Sequence, residues 1–324
     1  MSRYLVVLPD DSVQPILSAI DQAEISLRIK MFVFSDRRII DAVIRAHRRG
    51  VRVRIMLNPT RRNGKTENED SRRQLGQAGI EVIDSTPAFE VTHEKSMVVD
   101  ENSAWIMSLN WETKNLTETR DYAVVTSHRH EVSEIMECFE ADWARRDFKP
   151  GEHSHMIWCV GNARQRIARF IDDAKHSLWV QNERYQDPLI IEHLVRASRR
   201  GVKVHIMARP PHTLKEEKLV EGVAGLRILD DVGVKVHKVH GLKLHAKLLY
   251  ADGARAIIGS INLSPGSFNS RRELAIEVRD KEVVDRVDKL IHEDWKNSRP
   301  MDLSDEGLVA DLGEERVAGI VCSA

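Results

Sequence analysis

"SLRIKMFVFSDRRIIDAVIRAHRRGVRVRIMLNP", from Ser26 to Pro59, decides the fold because the chain contains it twice. "SLWVQNERYQDPLIIEHLVRASRRGVKVHIMARP", from Ser177 to Pro210, aligns with it without a gap and is identical at 15 of 34 positions. Each copy reads as a strand, a helix, Arg-Arg-Gly and a second strand. Gly50 and Gly201 suit a helix stop. "VRVRIML" and "VKVHIMA" alternate and then turn apolar, as a strand entering a core does. Any strand–helix–strand unit shares that periodicity, but not the identities, so the chain reads as a duplicated α/β unit.

The repeat extends outward. Amphipathic helices precede each copy, near Val13–Ala23 and Ala163–Ala174, and a helix and short strand follow ("GIEVID", "GVKVHKV"). Two helices close the halves, "EVSEIMECFEADWARR" and "KEVVDRVDKLIHEDWKN", both carrying Asp-Trp. "ARRDFKPGEHSH" (Ala144–His155) reads as the linker. The expected organisation is a first half over 1–148, a second over 149–298 and an acidic C-terminal segment over 299–324 that reads as a tail or a packing appendage. The chain has 324 residues, 42% hydrophobic and 31% charged, with a net charge of −1. That composition is globular and carries no overall polyanion-binding signal. Cys138, Cys159 and Cys322 lack metal-ligand spacing and read as reduced thiols of a cytoplasmic protein. No apolar run approaches a membrane span.

Between those elements lies a second duplication. His93-x-Lys95-x4-Asp100 leads to Met107-Ser108-x-Asn110, and His245-x-Lys247-x4-Asp252 leads to Gly259-Ser260-x-Asn262. Eleven residues past each Asn stands an acid, Asp121 or Glu273. Strand alternation points His and Lys to one face, and Ser and Asn likewise. An imidazole, an ammonium, a hydroxyl and an amide from each half suit a phosphodiester. Two lysines can neutralise its charge, so no metal or other cofactor is called for, and Ser108, Ser260, Asn110 and Asn262 supply donors. One histidine can attack phosphorus while the other protonates the leaving oxygen. An acid on each imidazole's other nitrogen would set its tautomer.

The doubled HxKx4D with its Ser-x-Asn continuation resembles the phospholipase D superfamily over nearly the whole chain, about Tyr4 to Trp295. The resemblance implies two pseudo-twofold related α/β halves, mixed sheets flanked by helices, and one shared cleft. It implies a phosphohistidine intermediate formed without a metal. It also implies His93 as nucleophile, His245 as general acid, Glu273 on His93, Asp121 on His245, and Asp100 and Asp252 as supports that bind no substrate. The departure is Met107 where glycine is expected, which reads as a side chain narrowing the approach to Ser108.

Other residues carry bland readings beside sharp ones. Asp100 and Asp252 sit where a hairpin turn wants aspartate. Arg120 and Arg272, beside the acids, fit phosphate binding and an ordinary salt bridge equally. His237 and His240 lie near the second motif and read as packing residues, while Tyr185, Gln186 and Asp187 could line the cleft. From Arg37 to Arg73 there are 12 Lys/Arg against 4 Asp/Glu, read as solvated helix faces rather than an anionic docking surface.

The chemistry is clearer than the substrate. "NLSPGSFNSRRE", from Asn262 to Glu273, is similar to the continuation in cardiolipin-synthase-like members, which favours phospholipid cleavage or transfer with peripheral contact to an anionic membrane. "HEKSMVVDENSAWIMSLNWETKNLTETRDYAVV" is similar to small nucleases of the superfamily, which keeps DNA or RNA as an alternative substrate. An aromatic content of 5% offers no evident stacking platform for single strands. An inactive phosphate-binding module is the third reading, disfavoured by two complete half-sites. No obligate protein partner is evident.

Overall fold

The structure is a computed structural model describing residues 3–60, 66–151, 154–210 and 216–308. The first half runs β1 (Arg3–Leu8), α1 (Gln14–Asp21), β2 (Ser26–Met31), α2 (Arg37–Arg48), β3 (Arg52–Leu57), α3 (Glu69–Gln77), β4 (Glu81–Asp84), β5 (Val91–Thr92), β6 (Ser96–Val99), β7 (Ser103–Met107), α4 (Thr113–Thr117), β8 (Thr119–Thr126) and α5 (Arg129–Trp143). The second half repeats the order: β9 (Met156–Cys159), α6 (Ala163–Asp172), β10 (Ser177–Asn182), α7 (Pro188–Arg199), β11 (Lys203–Ala208), α8 (Glu216–Asp231), β12 (Lys235–Val239), β13 (Lys243–Leu244), β14 (Leu248–Ala251), β15 (Arg255–Gly259), α9 (Pro265–Ser270), β16 (Arg271–Val278) and α10 (Lys281–Lys296). A short β17 (Ser298–Pro300) follows.

The two quoted repeats form as read. β2 pairs parallel with β3 from Ser26↔Arg52, and β10 with β11 from Ser177↔Lys203. Asp36 and Asp187 cap the intervening helices, accepting from Arg38 N at 3.1 Å and Ile190 N at 3.2 Å. Gly50 and Gly201 end them at φ +97° and +88°, where a side chain would be strained. Arg45 and Arg73 are exposed on helices and paired with Asp21 and Asp70, as solvated faces would be, whereas Arg54 lies on β3, pairs with Glu140 and packs over Phe139 and Trp143; residues 61–65 lie outside the described residues.

Each half builds one mixed sheet, ordered β1-β8-β7-β6-β2-β3-β4 and β17-β12-β11-β10-β14-β15-β16-β5. The last strand of the second list belongs to the first half. β5 pairs parallel with β16 through Val91↔Arg271 and Thr92↔Arg272. Reciprocally, β13 pairs with β8 through Lys243↔Thr119 and Leu244↔Arg120. The strand entering each histidine motif is thus hydrogen-bonded to the opposite half's acid-bearing strand.

Three apolar clusters fill the molecule. One packs the first sheet on α1 and α2, and one packs the second on α6, α7 and α8. The third lies between the halves and joins Val7, Ile106 and Val124 to Trp158, Leu248 and Leu274. Two buried ion pairs clamp it. Arg120 of β8 binds Asp294 of α10, with Nη2–Oδ1 at 2.8 Å, and Arg272 of β16 binds Asp142 of α5 at the same distance. The Asp of each Asp-Trp pair therefore reaches the other half, and both arginines are structural.

The segment expected as a tail begins as structure. β17 extends the sheet beside β12, and Met301 and Leu303 are buried in the second half's core. The tail reading is corrected for 299–308, because those two apolar side chains need cover; 309–324 lie outside the described residues.

Asp294→Ala would leave Arg120 buried without its main partner. The expected cost is about 3–5 kcal/mol of unfolding free energy, measured by urea denaturation. Because the pair bridges the halves, unfolding should remain one transition. A change below about 1 kcal/mol would show that the clamp is not under load.

Candidate active site

His93 follows β5 directly. Its backbone N–H donates to Arg272 O at 2.8 Å, so the imidazole is delivered beside the neighbouring residue of that strand, Glu273. His93 Nδ1 lies 2.9 Å from Glu273 Oε2. His245 follows β13 in the same way: its N–H donates to Arg120 O at 3.3 Å and its Nδ1 lies 2.8 Å from Asp121 Oδ1. Each imidazole is held by the opposite half's carboxylate, leaving Nε2 as the free ring nitrogen on His93.

Secondary contacts hold those acids. Ser108 Oγ donates to Asp121 Oδ1 and receives Tyr122 N–H at 2.9 Å, while Thr119 Oγ1 donates to Asp121 Oδ2 at 2.6 Å. Ser260 Oγ receives Leu274 N–H at 3.1 Å on the strand that carries Glu273. Ser108 and Ser260 are fully buried and spent on the acid strands, so the geometry gives them a bracing task in place of the phosphate contact expected. Asn110 and Asn262 each keep a buried side-chain Oδ1 without a partner. Asp100 and Asp252 sit at φ +51° and +55° and accept the backbone N–H groups of 24–26 and 175–177. They tie each motif hairpin to the start of β2 or β10.

Lys95 Nζ donates to His93 O at 2.6 Å, and Lys247 Nζ donates to His245 O. The surroundings then differ. Lys247 Nζ is 2.8 Å from Glu183 Oε2, and that carboxylate oxygen stands 3.7 Å from His245 Nε2. Arg209 holds the other oxygen at 3.2 Å. The repeat alignment puts Phe32 opposite Glu183. Its ring lies 4.8 Å from the His93 ring and 5.0 Å from Lys95 Nζ. Sequence comparison missed both residues, because a repeat highlights positions where its copies agree.

Charge follows geometry. Burial, then Lys95, Lys247 and Arg271, hold His93 well below the ordinary histidine value. Burial and the like charge of Lys247 hold Lys95 well below the usual lysine range. Burial pushes Glu273 up, whereas for Asp121 the bond and charge of His245 overcome burial and keep it low. Glu183 is held well below its ordinary value because Lys247, His245 and Arg209 outweigh burial. His93 thus sits among cations and an aromatic ring, and His245 between two carboxylates. Among the described residues, the cluster with metal-ligand spacing, Glu94, Cys138 and Asp142, surrounds Lys30 Nζ at 2.8–3.5 Å, so an ammonium already fills it.

Other expected neighbours lie elsewhere. Tyr185 is buried with its hydroxyl on Met207 O, and Asp187 caps α7. His237 stacks on Trp295 at 3.7 Å and bonds Ser298, the packing role expected. Met107 does not narrow the cleft. It is fully buried in the first half's core, because alternation sends it opposite to Ser108. At Gly259 an added Cβ would lie 2.3 Å from Leu274 O, so only the second copy needs glycine. Met107→Gly is expected to destabilise the fold by about 3 kcal/mol or more through the cavity it leaves, read by thermal or urea unfolding. A stability change under about 1 kcal/mol with faster turnover of bulky substrates would restore the cleft reading.

Comparison with known proteins agrees with this architecture. The chain is 23% identical to a polyphosphate kinase of Vibrio parahaemolyticus over 83% of its own length and 40% of that protein's. It is 23% identical to cardiolipin synthase 1 of Bacillus anthracis over 89% of its length and 65% of that protein's. It therefore spans about two fifths of the kinase and just under two thirds of the synthase. A phosphatidylserine synthase from Haemophilus influenzae superposes with a TM-score of 0.74 at 11% identity, covering 97% of this chain and 93% of that one, a likeness of fold. The family described as "Cardiolipin synthase, PLD-like domain" matches residues 16–143 and again 167–295, and the chain belongs to that family within the phospholipase D superfamily.

Proposed function

We propose that this protein is a phosphodiesterase or phosphatidyltransferase acting on phospholipid phosphodiesters through a phosphohistidine on His93. The observation that carries the proposal is the unequal setting of two imidazoles in one cleft. A nucleophile must be neutral, and burial among cations keeps His93 so. A general acid must hold a proton, and Asp121 and Glu183 flank the two ring nitrogens of His245.

In the first step His93 Nε2 attacks phosphorus. The P–N bond forms as the P–O bond to the leaving group breaks, and the leaving oxygen takes the Nε2 proton of His245. Lys95, Lys247, Asn110 and Asn262 face the nonbridging oxygens, and the phosphate competes with Glu183 for Lys247. In the second step water or an alcohol gives its proton to His245 and attacks phosphorus, the P–N bond breaks, and His93 is restored. Asp121 and Glu273 hold the ring tautomers throughout.

Two relatives support lipid over other phosphodiesters: one is named a cardiolipin synthase, and a mitochondrial cardiolipin hydrolase from human is 30% identical over 45% of this chain. No helix of the described residues is long and apolar enough to cross a membrane, and we place the contact with lipid at the membrane surface. The decisive experiment is product analysis on a phospholipid panel beside single- and double-stranded DNA and RNA and inorganic polyphosphate, with ethanol or glycerol as acceptor. Phosphatidic acid or a phosphatidyl-alcohol is expected. Cleavage of oligonucleotide alone would transfer the same residues to a nuclease.

His93→Asn and His245→Asn should each lower turnover at least 1000-fold, in line with loss of a nucleophile or general acid. Only the second should accumulate adduct, on His93, with a good leaving group. A tenth of normal turnover in either variant, or adduct on His245, would overturn the assignment of roles.

The pH profile tests His93 separately. A histidine held below its ordinary value stays neutral as pH falls past about 6.5. The acidic limb of kcat/KM should therefore lie below that pH. A limb at or above it would mean that His93 is not the group that must be neutral.

A further inference from the structure

Against α7 and α8, on the second half, lies a cavity of about 740 Å³. Ile191, Val195, Ala224, Ile228 and Pro265 make its walls apolar. Ile228 is 48% exposed, unusual for a large aliphatic side chain on a helix that packs closely: a Cβ on Gly225 would lie 1.9 Å from Tyr185 O. Three donor-bearing side chains, Arg184, Gln186 and Arg271, line the same cavity. Gln186 Nε2 and Arg271 Nε are buried without a hydrogen-bond partner. Among the described residues the Arg184 guanidinium makes no hydrogen bond or ion pair. Glu183 and Glu273 act on it only at range, and Arg271 and Arg209 oppose its charge. The acid at the cavity, Glu192, is paired with Arg196 at 3.3 Å.

Buried donors without acceptors are costly, which holds here for Gln186 Nε2 and Arg271 Nε among the described residues. The half-buried Arg184 adds a second guanidinium to the same cavity, so an acidic group there would meet donors from all three side chains. Arginine's planar fork suits phosphate or carboxylate, and the apolar walls suit an alkyl chain leaving that group. The cavity adjoins the catalytic cleft through Arg271, whose charge acts on His93 and Glu273. The catalytic lysines do not line it. It is thus a separate cavity beside the proposed site of the scissile phosphate.

We propose that Arg184, Gln186 and Arg271 form a second anion subsite that binds an acidic group carrying an alkyl chain, with the chain lying along α7 and α8. This rests on the lipid reading above and narrows it: the preferred substrate is an amphiphile with an acidic group besides the scissile phosphodiester. Neutral-headed lipids would bind less well.

Binding can be tested apart from turnover with alkyl monophosphates, which have no phosphodiester to cleave. Calorimetric titration of the full chain would compare decyl phosphate, below its micellar concentration, with butyl phosphate, inorganic phosphate, decanoate and decanol. Burial of each methylene should tighten binding about threefold, so decyl phosphate should exceed butyl phosphate at least 100-fold. Decanoate should bind and decanol should bind at least tenfold more weakly than either acid. Ile228→Asn changes an exposed position without adding charge and should abolish the chain-length gain while leaving butyl phosphate unchanged. Arg184→Ala should weaken decyl phosphate at least tenfold; Arg184→Gln serves as the milder variant should the first unfold. Equal binding of decyl and butyl phosphate, equal binding of decanol and decanoate, or no effect of Ile228→Asn would each overturn the subsite. Phospholipid cleavage that still depends on His93 would then leave the proposed reaction standing. Binding as expected without phospholipid cleavage would refute the reaction and leave an amphiphile-binding site.

Discussion

Each imidazole in this protein is held by a carboxylate from the other half, and the rest of the structure is arranged around that exchange. Glu273 and Asp121 are completely buried. A buried carboxylate is tolerable only with close partners, and those partners arrive on a strand from the opposite sheet. The exchange therefore needs the two sheets locked in register to within a hydrogen-bond length. β5 on β16 and β13 on β8 set that register at the site. Arg120–Asp294 and Arg272–Asp142 set it behind, next to the same acid strands. Neither half by itself gives its histidine a carboxylate partner, which is a physical reason for the two copies to fold against each other.

Symmetry supplies the parts and its failures separate them. Asp142 is joined by Lys30 and Glu94; at the related positions Asp294 meets Gln181, and Ala246 replaces the glutamate. A cation and an anion were lost or gained together, as low dielectric requires. Phe32 and Glu183 differ more sharply, one apolar and one anionic, and they stand against the motif residues themselves, His93 and Lys247. The two histidines therefore have unlike surroundings, an aromatic ring beside His93 and a second carboxylate beside His245. In the proposed reaction, that difference decides which histidine attacks.

Much of this was legible in the sequence. The repeat located β2, α2 and β3 and their copies, because helix caps, Arg-Arg-Gly stops and strand alternation are local rules. The motif spacing identified the histidines, lysines and acids, since alternation puts them on one face. What escaped depended on contacts between distant residues. Arg120 had no visible partner until Asp294, 174 residues away, was placed beside it. Glu183 was hidden by its mismatch with Phe32. Met107 was misread although the alternation rule already pointed it inward; the expectation of glycine drew attention to the cleft, whereas glycine answers a close backbone approach found only in the second half. The exit from α10 looked like a tail because an added edge strand of three residues has no periodicity to detect.

The same cleft explains why its charges stay unbalanced. Burial and the like charge of Lys247 hold Lys95 well below its usual range. Full neutralisation by fixed acids would remove the strain and also occupy the space an anion needs. Glu183 is a compromise: it pairs with Lys247 but leaves Lys95 to Phe32 and a backbone carbonyl. In the proposed reaction an incoming phosphate supplies the negative charge that the fixed acids of the site leave Lys95 without. Free energy withheld from the resting fold is then recovered on binding, so affinity for an anion and stability of the closed site are linked through one ammonium group.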